Sequence, residues 1–214
     1  MAKTDSISQL RRDFTKASFN EQNAAQNPFE QFKLWFADAV DSDFLDPNAF
    51  TFSTCSLKGK PSSRILLLKN FDENGFIFYT NYDSRKGKEI EDNPFGSMLF
   101  FWDKLERQIR IEGKIEKLSS AESDSYFQTR PYTSRLGAWA SKQSTPLKSR
   151  FTLMRQVASL MLKYPKNVPL PPNWGGYKLI PDNFEFWQGR PNRLHDRLYY
   201  EKKNYNWVIT RLYP

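Results

Sequence analysis

One cysteine and one histidine in 214 residues remove several chemistries at once. Cys55 has no partner for an internal disulfide and cannot anchor a metal site alone. With His195 as the sole imidazole, a zinc site would need mostly carboxylate ligands, which zinc seldom takes, so no metal is expected. No serine or cysteine has a histidine near it in sequence, no pair of catalytic carboxylates stands out, and neither a P-loop nor a Rossmann glycine fingerprint occurs. No apolar run approaches the roughly 18 residues that a membrane span requires. Met1–Ser6 lacks a hydrophobic signal core, which leads us to expect no secretion and a cytoplasmic location. Cys55 sits in an apolar, β-like run, where a buried and inert thiol is expected.

What is present is globular: 39% hydrophobic, 16% aromatic and 26% charged residues. The length suits one domain with a sizeable core. A net charge of +8 favours anionic partners, either nucleic acid or phosphorylated small molecules. The cations are scattered rather than blocked, which weakens a nucleic-acid reading.

Residues 1–27 are polar and read as a mobile arm, with a basic helix start at Leu10–Phe14. Pro28 opens an amphipathic helix, with Phe29, Phe32, Phe36 and Val40 at helical spacing beside Trp35. Strands follow at 49–57, 62–70 and 76–80, with hairpin signals at Lys58-Gly59 and Asp72–Gly75. Asp83 or Ser84 caps a short helix that Pro94 stops. Strands 95–102 and 108–118 come next, the second alternating Ile109, Ile111 and Ile115 against Gln108, Arg110 and Glu112. Helical patterns cover 121–129, 133–140 and 147–164, and a closing β region runs from Trp174 to Tyr213. With no βαβ alternation, the order reads as mostly β with appended helices, in one domain over 28–214.

The segment Glu185–Leu198 carries the densest chemistry. Were 193–198 a strand, Arg193, His195 and Arg197 would share one face suited to an anionic ring-bearing ligand, the bland alternative being a solvated basic edge. Arg64 and Lys69 flank the apolar run Ile65–Leu68 of an expected buried strand at odd separation, so a regular strand would send them to opposite sides, toward different parts of a ligand unless a bulge intervenes. Asn81–Gly87 offers free N–H groups and two cations at a helix start, which suits phosphate. Tyr126, Arg130 and Ser134 recur every four residues, although Pro131 divides the segment. A chain rich in anion donors and poor in nucleophiles leaves hard chemistry to a cofactor.

In this order, Leu10–Phe14, Arg64–Lys69, Ser84–Lys88, Arg107–Arg110, Tyr126–Pro131, Trp174–Tyr177, Glu185–Arg197 and Arg211–Pro214 resemble the pyridoxine (pyridoxamine) 5′-phosphate oxidase family over nearly the whole chain. The resemblance implies a homodimeric, FMN-binding split β-barrel that oxidises pyridoxamine 5′-phosphate and pyridoxine 5′-phosphate to pyridoxal 5′-phosphate, with O2 as acceptor. It implies flavin ligands at Arg64, Ile65, Leu66, Leu67, Leu68, Lys69, Tyr79, Thr80, Arg85, Lys86 and Gln108. Gln143, Ser144, Trp187 and Arg197 complete that set from the partner subunit. Lys69, Tyr126, Arg130 and Ser134 would grip the substrate phosphate, and Arg193, Leu194 and His195 would lie at the pyridine ring. By the same resemblance Arg193 and His195 would be the catalytic pair, and Arg11, Arg12, Asp13 and Phe14 would belong to an arm that closes over the substrate. The family often has tyrosine at the position of Phe14, so this arm keeps an apolar cover and loses a hydroxyl. Two other readings are a non-catalytic flavin- or phosphate-binding split barrel and a basic OB-like protein that stacks bases on Phe and Trp.

Overall fold

The computed structural model describes residues 12–214, so the role expected for Arg11 and much of the expected helix at Leu10–Phe14 fall outside the described residues. Residues 12–14 are not helical. The elements are α1 (Pro28–Asp41), β1 (Ala49–Cys55), β2 (Pro61–Leu67), β3 (Asn70–Asp72), β4 (Gly75–Asn81), α2 (Arg85–Asp92), β5 (Phe95–Trp102), β6 (Arg107–Lys117), α3 (Ser120–Thr129), α4 (Tyr132–Ala140), α5 (Arg150–Lys163), β7 (Trp174–Gln188), β8 (Asp196–Lys203) and β9 (Asn206–Arg211). Strands hydrogen-bond in the order β2-β1-β5-β6-β7-β4-β3, with β8 against β7 and β9 against β8. The β1/β2, β3/β4, β4/β7, β7/β8 and β8/β9 pairs are antiparallel. The mostly β class with appended helices is therefore what the chain adopts. Among the described residues no helix is long and apolar enough to cross a membrane.

The chain forms two compact units. The first holds the described residues up to Pro47, with Leu99–Ile111 and Asp182–Pro214. Asn27 caps α1 by accepting from the Phe29 N–H, and Pro28 supplies a pre-set first turn. The helix buries Phe29, Phe32, Trp35 and Ala39. Their partners are aromatic: Trp35 meets Phe186 edge-on at 5.3 Å, Phe32 meets Phe100 at 5.2 Å and Phe29 meets Phe184 at 5.2 Å. Edge-to-face pairs at such distances add to the burial of each ring. Val40, expected on this face, is exposed, because the buried stripe runs through Ala39 instead. The irregular stretch before α1 is tied into the same unit: Phe19 is buried, and its N–H donates to Asp196.

The second unit comprises Asn48–Met98 and Glu112–Pro181. Phe50, Phe52, Phe76 and Phe78 pack from β1 and β4, with Phe52 and Phe78 4.7 Å apart. A second cluster joins Phe127, Leu136, Val168 and Trp174 beneath α3, α4 and α5. Two expectations for this unit are corrected. β2 stands at the end of the strand order, so its apolar run is not a buried strand: Ile65 is 64% exposed, while Leu68 beyond the strand is 5% exposed. Cys55, at the last position of β1, is only half-buried rather than sequestered.

Candidate active site

The candidate residues fall into two sets, one in each unit. In the second unit, Ser84 caps α2: its Oγ accepts from the Gly87 N–H and donates to the Asn81 carbonyl. Gly87 is required here, because a Cβ would lie 1.9 Å from the Tyr82 carbonyl oxygen. The capped turn carries Arg85 outward and Lys86 inward. Lys86 is buried, and its ammonium donates to Thr80 Oγ1 at 2.9 Å, Ser84 Oγ at 3.2 Å and Gln143 Oε1 at 3.1 Å. All of these partners are neutral. Burial, helped by the nearby Arg64 charge, pushes the Lys86 ammonium down to about 8. Arg64 and Arg85 meet at one carboxylate, Glu89. Burial alone would raise that carboxyl, but donation from Ser62, Thr54 and Arg85 outweighs it and holds Glu89 at about 2. Arg64, Arg85, Lys86, Gln143 and Ser144 line a cleft of about 350 Å³. Gln143 and Ser144 thus join these cations within one chain.

A neighbouring cleft of about 560 Å³ shares Ile65, Leu66 and Gln143 with the first and is also lined by Leu67, Lys69, Tyr79, Thr80, Tyr126, Arg130 and Ser134. Arg130 ends α3 and Pro131 begins α4, so the proline does divide the segment. The turn nonetheless keeps Tyr126, Arg130 and Ser134 in one cleft. Tyr126 stacks on Tyr79 at 3.9 Å, and the Arg130 guanidinium lies 4.6 Å above the Trp174 ring. Arg130 Nη1 is buried without a hydrogen-bond partner, and burial lowers its affinity for the proton. A cation in that condition is short of an anion. Arg64 and Lys69 line different clefts; β2 ends at Leu67, so the alternation of a single regular strand does not govern Lys69. Leu68 is buried and lines neither.

In the first unit, a cavity of about 1130 Å³ is lined by Arg12, Asp13, Phe14, Arg190, Arg193 and His195 among others. The shared strand face for 193, 195 and 197 does not form. Pro191–Arg193 is a 3-10 turn, Asn192 and Arg193 both have positive φ (57° and 63°), and β8 starts only at Asp196. Pro191 and the two left-handed residues interrupt the extended backbone that alternation needs. Arg193 and Leu194 are exposed, Leu194 at 67%. His195 Nδ1 accepts from the Arg190 N–H at 3.1 Å, which puts the proton of the neutral ring on Nε2. Burial, and then the Arg193 charge, favour that neutral form.

Trp187 lies 4.6 Å from the His195 ring, and Phe14 stands edge-on to both at 5.6 and 5.5 Å. Phe14 comes this close because residue 189 is glycine: a Cβ there would lie 2.7 Å from the Phe14 ring. The Arg12 guanidinium sits 5.1 Å over Phe14 and donates to the Asp103 carbonyl. Arg197 pairs with Trp187 across β7/β8 and donates from Nε to Glu185 at 2.8 Å. Gln108 is half-buried on β6.

The buried acids Glu89 and Glu185 were missed in the sequence, although both orient candidate arginines. Glu89 left one signal, its spacing four residues after Arg85 on a helix. Glu185 joins Arg110 and Arg197 across three strands, a contact that no local pattern shows.

Residues 36–162 match the family model described as pyridoxamine 5′-phosphate oxidase, and residues 174–214 match the pyridoxine 5′-phosphate oxidase C-terminal dimerisation region. The chain is 52% identical over 211 residues to a pyridoxine/pyridoxamine 5′-phosphate oxidase of Gloeothece citriformis, covering 98% of this chain and 99% of that one. It is 52% identical over 210 residues to the Bordetella pertussis protein of the same name, covering 98% and 100%. Among solved structures it is similar to PhzG from Burkholderia lata in complex with tetrahydrophenazine-1-carboxylic acid (TM-score 0.88, 33% identity, 94% and 99% covered). It also shares the fold of a pyridoxamine 5′-phosphate oxidase-related, FMN-binding protein from Nostoc punctiforme (TM-score 0.72, 17% identity, 89% and 100% covered).

Proposed function

The chain belongs to the pyridoxamine 5′-phosphate oxidase family, and from that premise we propose that it is an FMN-dependent, cytoplasmic oxidase of pyridoxamine 5′-phosphate and pyridoxine 5′-phosphate, working as a homodimer. The observation that carries the substrate reading is Arg130: a half-buried side chain whose Nη1 is buried and unpartnered, in a cleft walled by Tyr79 and Tyr126 and shared with Lys69 and Ser134. That set suits a phosphate monoester attached to a flat ring.

The residues present also fit FMN. Buried Lys86 with neutral partners, Arg64 and Arg85 give the smaller cleft a phosphate-binding donor set. Ile65, Leu66, Leu67, Lys69, Tyr79, Thr80, Gln108, Gln143, Ser144, Trp187 and Arg197 would complete the cofactor contacts, and Leu68 would support them from the core. When bound, FMN supplies the two-electron acceptor for a hydride from C4′ of the substrate. Lys69, Tyr126, Arg130 and Ser134 hold the substrate phosphate, so binding energy far from C4′ fixes the position of the ring. Arg193 faces the ring hydroxyl and stabilises negative charge there. His195, neutral with its proton on Nε2, hydrogen-bonds or transfers a proton at the ring. Arg12, Asp13 and Phe14 cover the ring and exclude water. With the amine, substrate, O2 and water become pyridoxal 5′-phosphate, ammonia and hydrogen peroxide.

The likeness to PhzG favours a second reading, oxidation of a reduced, carboxylate-bearing tricyclic ring. Incubation in air of the FMN-loaded protein with pyridoxamine 5′-phosphate separates the two. Stoichiometric pyridoxal 5′-phosphate and peroxide are expected. Absence of both, with the flavin retained, would move the assignment to the phenazine-type substrate or to a flavin-binding protein without catalysis.

A further inference from the structure

Glu89 projects from α2 into the interior of its unit and is 6% exposed. Its Oε2 accepts from Thr54 Oγ1 at 2.5 Å and Ser62 Oγ at 2.6 Å, and its Oε1 accepts from Arg85 Nε at 2.9 Å. Arg64 donates in turn to the same two hydroxyls, at 2.6 Å to Thr54 and 2.5 Å to Ser62. Each hydroxyl therefore accepts a hydrogen bond from Arg64 and donates one to Glu89. The carboxylate closes a ring through β1, β2 and α2 that fixes both guanidiniums. Buried Lys86 follows Arg85 directly and has only neutral partners. Arg85 is 61% exposed at its side chain, so the repulsion is strongest between the largely buried Arg64 and Lys86, and removing Glu89 leaves it less compensated. An incoming phosphate and Glu89 draw on the same positive charge, so each weakens the other's hold on it.

Resting on the reading of this cleft as the FMN phosphate site, we propose that Glu89 is its internal counter-ion. It holds Arg64 and Arg85 in place while the cleft is empty, and in return it lowers the affinity for the phosphate that arrives.

The test is Glu89→Gln, which keeps shape and removes charge, studied as the full-length apoprotein. Thermal melting is followed without ligand and with FMN, riboflavin or inorganic phosphate, and Kd is measured for both flavins. The bare variant should melt several degrees lower, FMN should bind at least about threefold tighter than to the parent, and inorganic phosphate should restore more of the melting temperature than it adds to the parent. Riboflavin, which lacks the phosphate, should bind both proteins equally. The double variant Arg85→Gln/Glu89→Gln restores the charge balance, and it should recover melting temperature and lose the extra FMN affinity. Unchanged or weaker FMN binding in Glu89→Gln, or an equal gain for riboflavin, overturns the proposal. If the single variant does not fold, the double variant decides: recovery supports a charge role, and failure assigns Glu89 to hydrogen bonding alone. Failure of the parent to bind FMN would sink the cofactor reading, while the inorganic phosphate arm would still judge Glu89.

Discussion

In the unit that carries Arg64, Lys86 and Arg130, the cations stand on or beside regular elements and are locked from behind. Glu89 and two hydroxyls hold Arg64, a capped helix turn seats Lys86, and Trp174 backs Arg130. In the unit that carries Arg193 and His195, the same kinds of side chain stand on a turn with two successive left-handed residues, and Arg193 is exposed. His195, just after that turn, is fixed by the Arg190 N–H and the rings of Trp187 and Phe14. The contrast fits the task that the proposed function gives each set. Holding a phosphate needs preorganised charge, which is costly to build and best buried in a fixed network. Acting on a ring that must enter and leave needs donors near solvent, on backbone that side-chain packing does not confine.

The contrast is broken most directly at Arg193. Arg193→Ala should lower kcat about 100-fold, the scale of one lost electrostatic donor, and leave FMN affinity intact. Equal turnover would remove Arg193 from catalysis. Arg130→Met should act the other way, raising KM for pyridoxamine 5′-phosphate about 30-fold with little change in kcat, as loss of a charged hydrogen bond implies. A steady-state fit that moves kcat instead would erase the division between gripping and reacting ends.

Lys86→Met should weaken FMN about tenfold and riboflavin hardly at all. The pH dependence sharpens this. In the free protein Lys86 loses its proton near 8, and phosphate prefers the charged form, so FMN affinity should fall as pH rises from 7 to 9.5. The slope should vanish in Lys86→Met, which titration at several pH values would reveal. The smallest effect is expected from Gly189→Ala, which pushes Phe14 from its seat against Trp187 and His195. A few-fold rise in KM without loss of flavin would fit its covering role, and an unchanged KM would deny Phe14 that role.

Sequence periodicity located most of the elements well. The alternation along β6 is that of the isoleucines, since Ile109, Ile111 and Ile115 are all buried. Ser84 caps α2 and Pro131 separates α3 from α4, as local turn chemistry demands. The errors have separate causes, the first being that alternation and apolar runs say nothing about what lies beside a strand. Ile65 reads as core yet faces outward, because β2 ends the strand order. Val40 reads as the inner face of α1, yet Ala39 fills that stripe. Arg193, His195 and Arg197 read as one face, but Pro191 and the left-handed pair at Asn192 and Arg193 break the strand before it starts. At the site, the donors were legible because cations next to rings and turns are locally distinctive. Glu89 was not, because its meaning comes from Thr54 and Ser62, 35 and 27 residues away.

The central claim is that a grip on the substrate phosphate positions the ring for reaction. It is tested most directly by anaerobic stopped-flow mixing of the FMN-loaded protein with pyridoxamine 5′-phosphate and, separately, with pyridoxamine. Rapid loss of the oxidised flavin absorbance with the phosphate ester, and loss slower by about 1000-fold or more at equal concentration without the phosphate, is the predicted result. Equal rates for the two amines, or no bleaching with either, would contradict it.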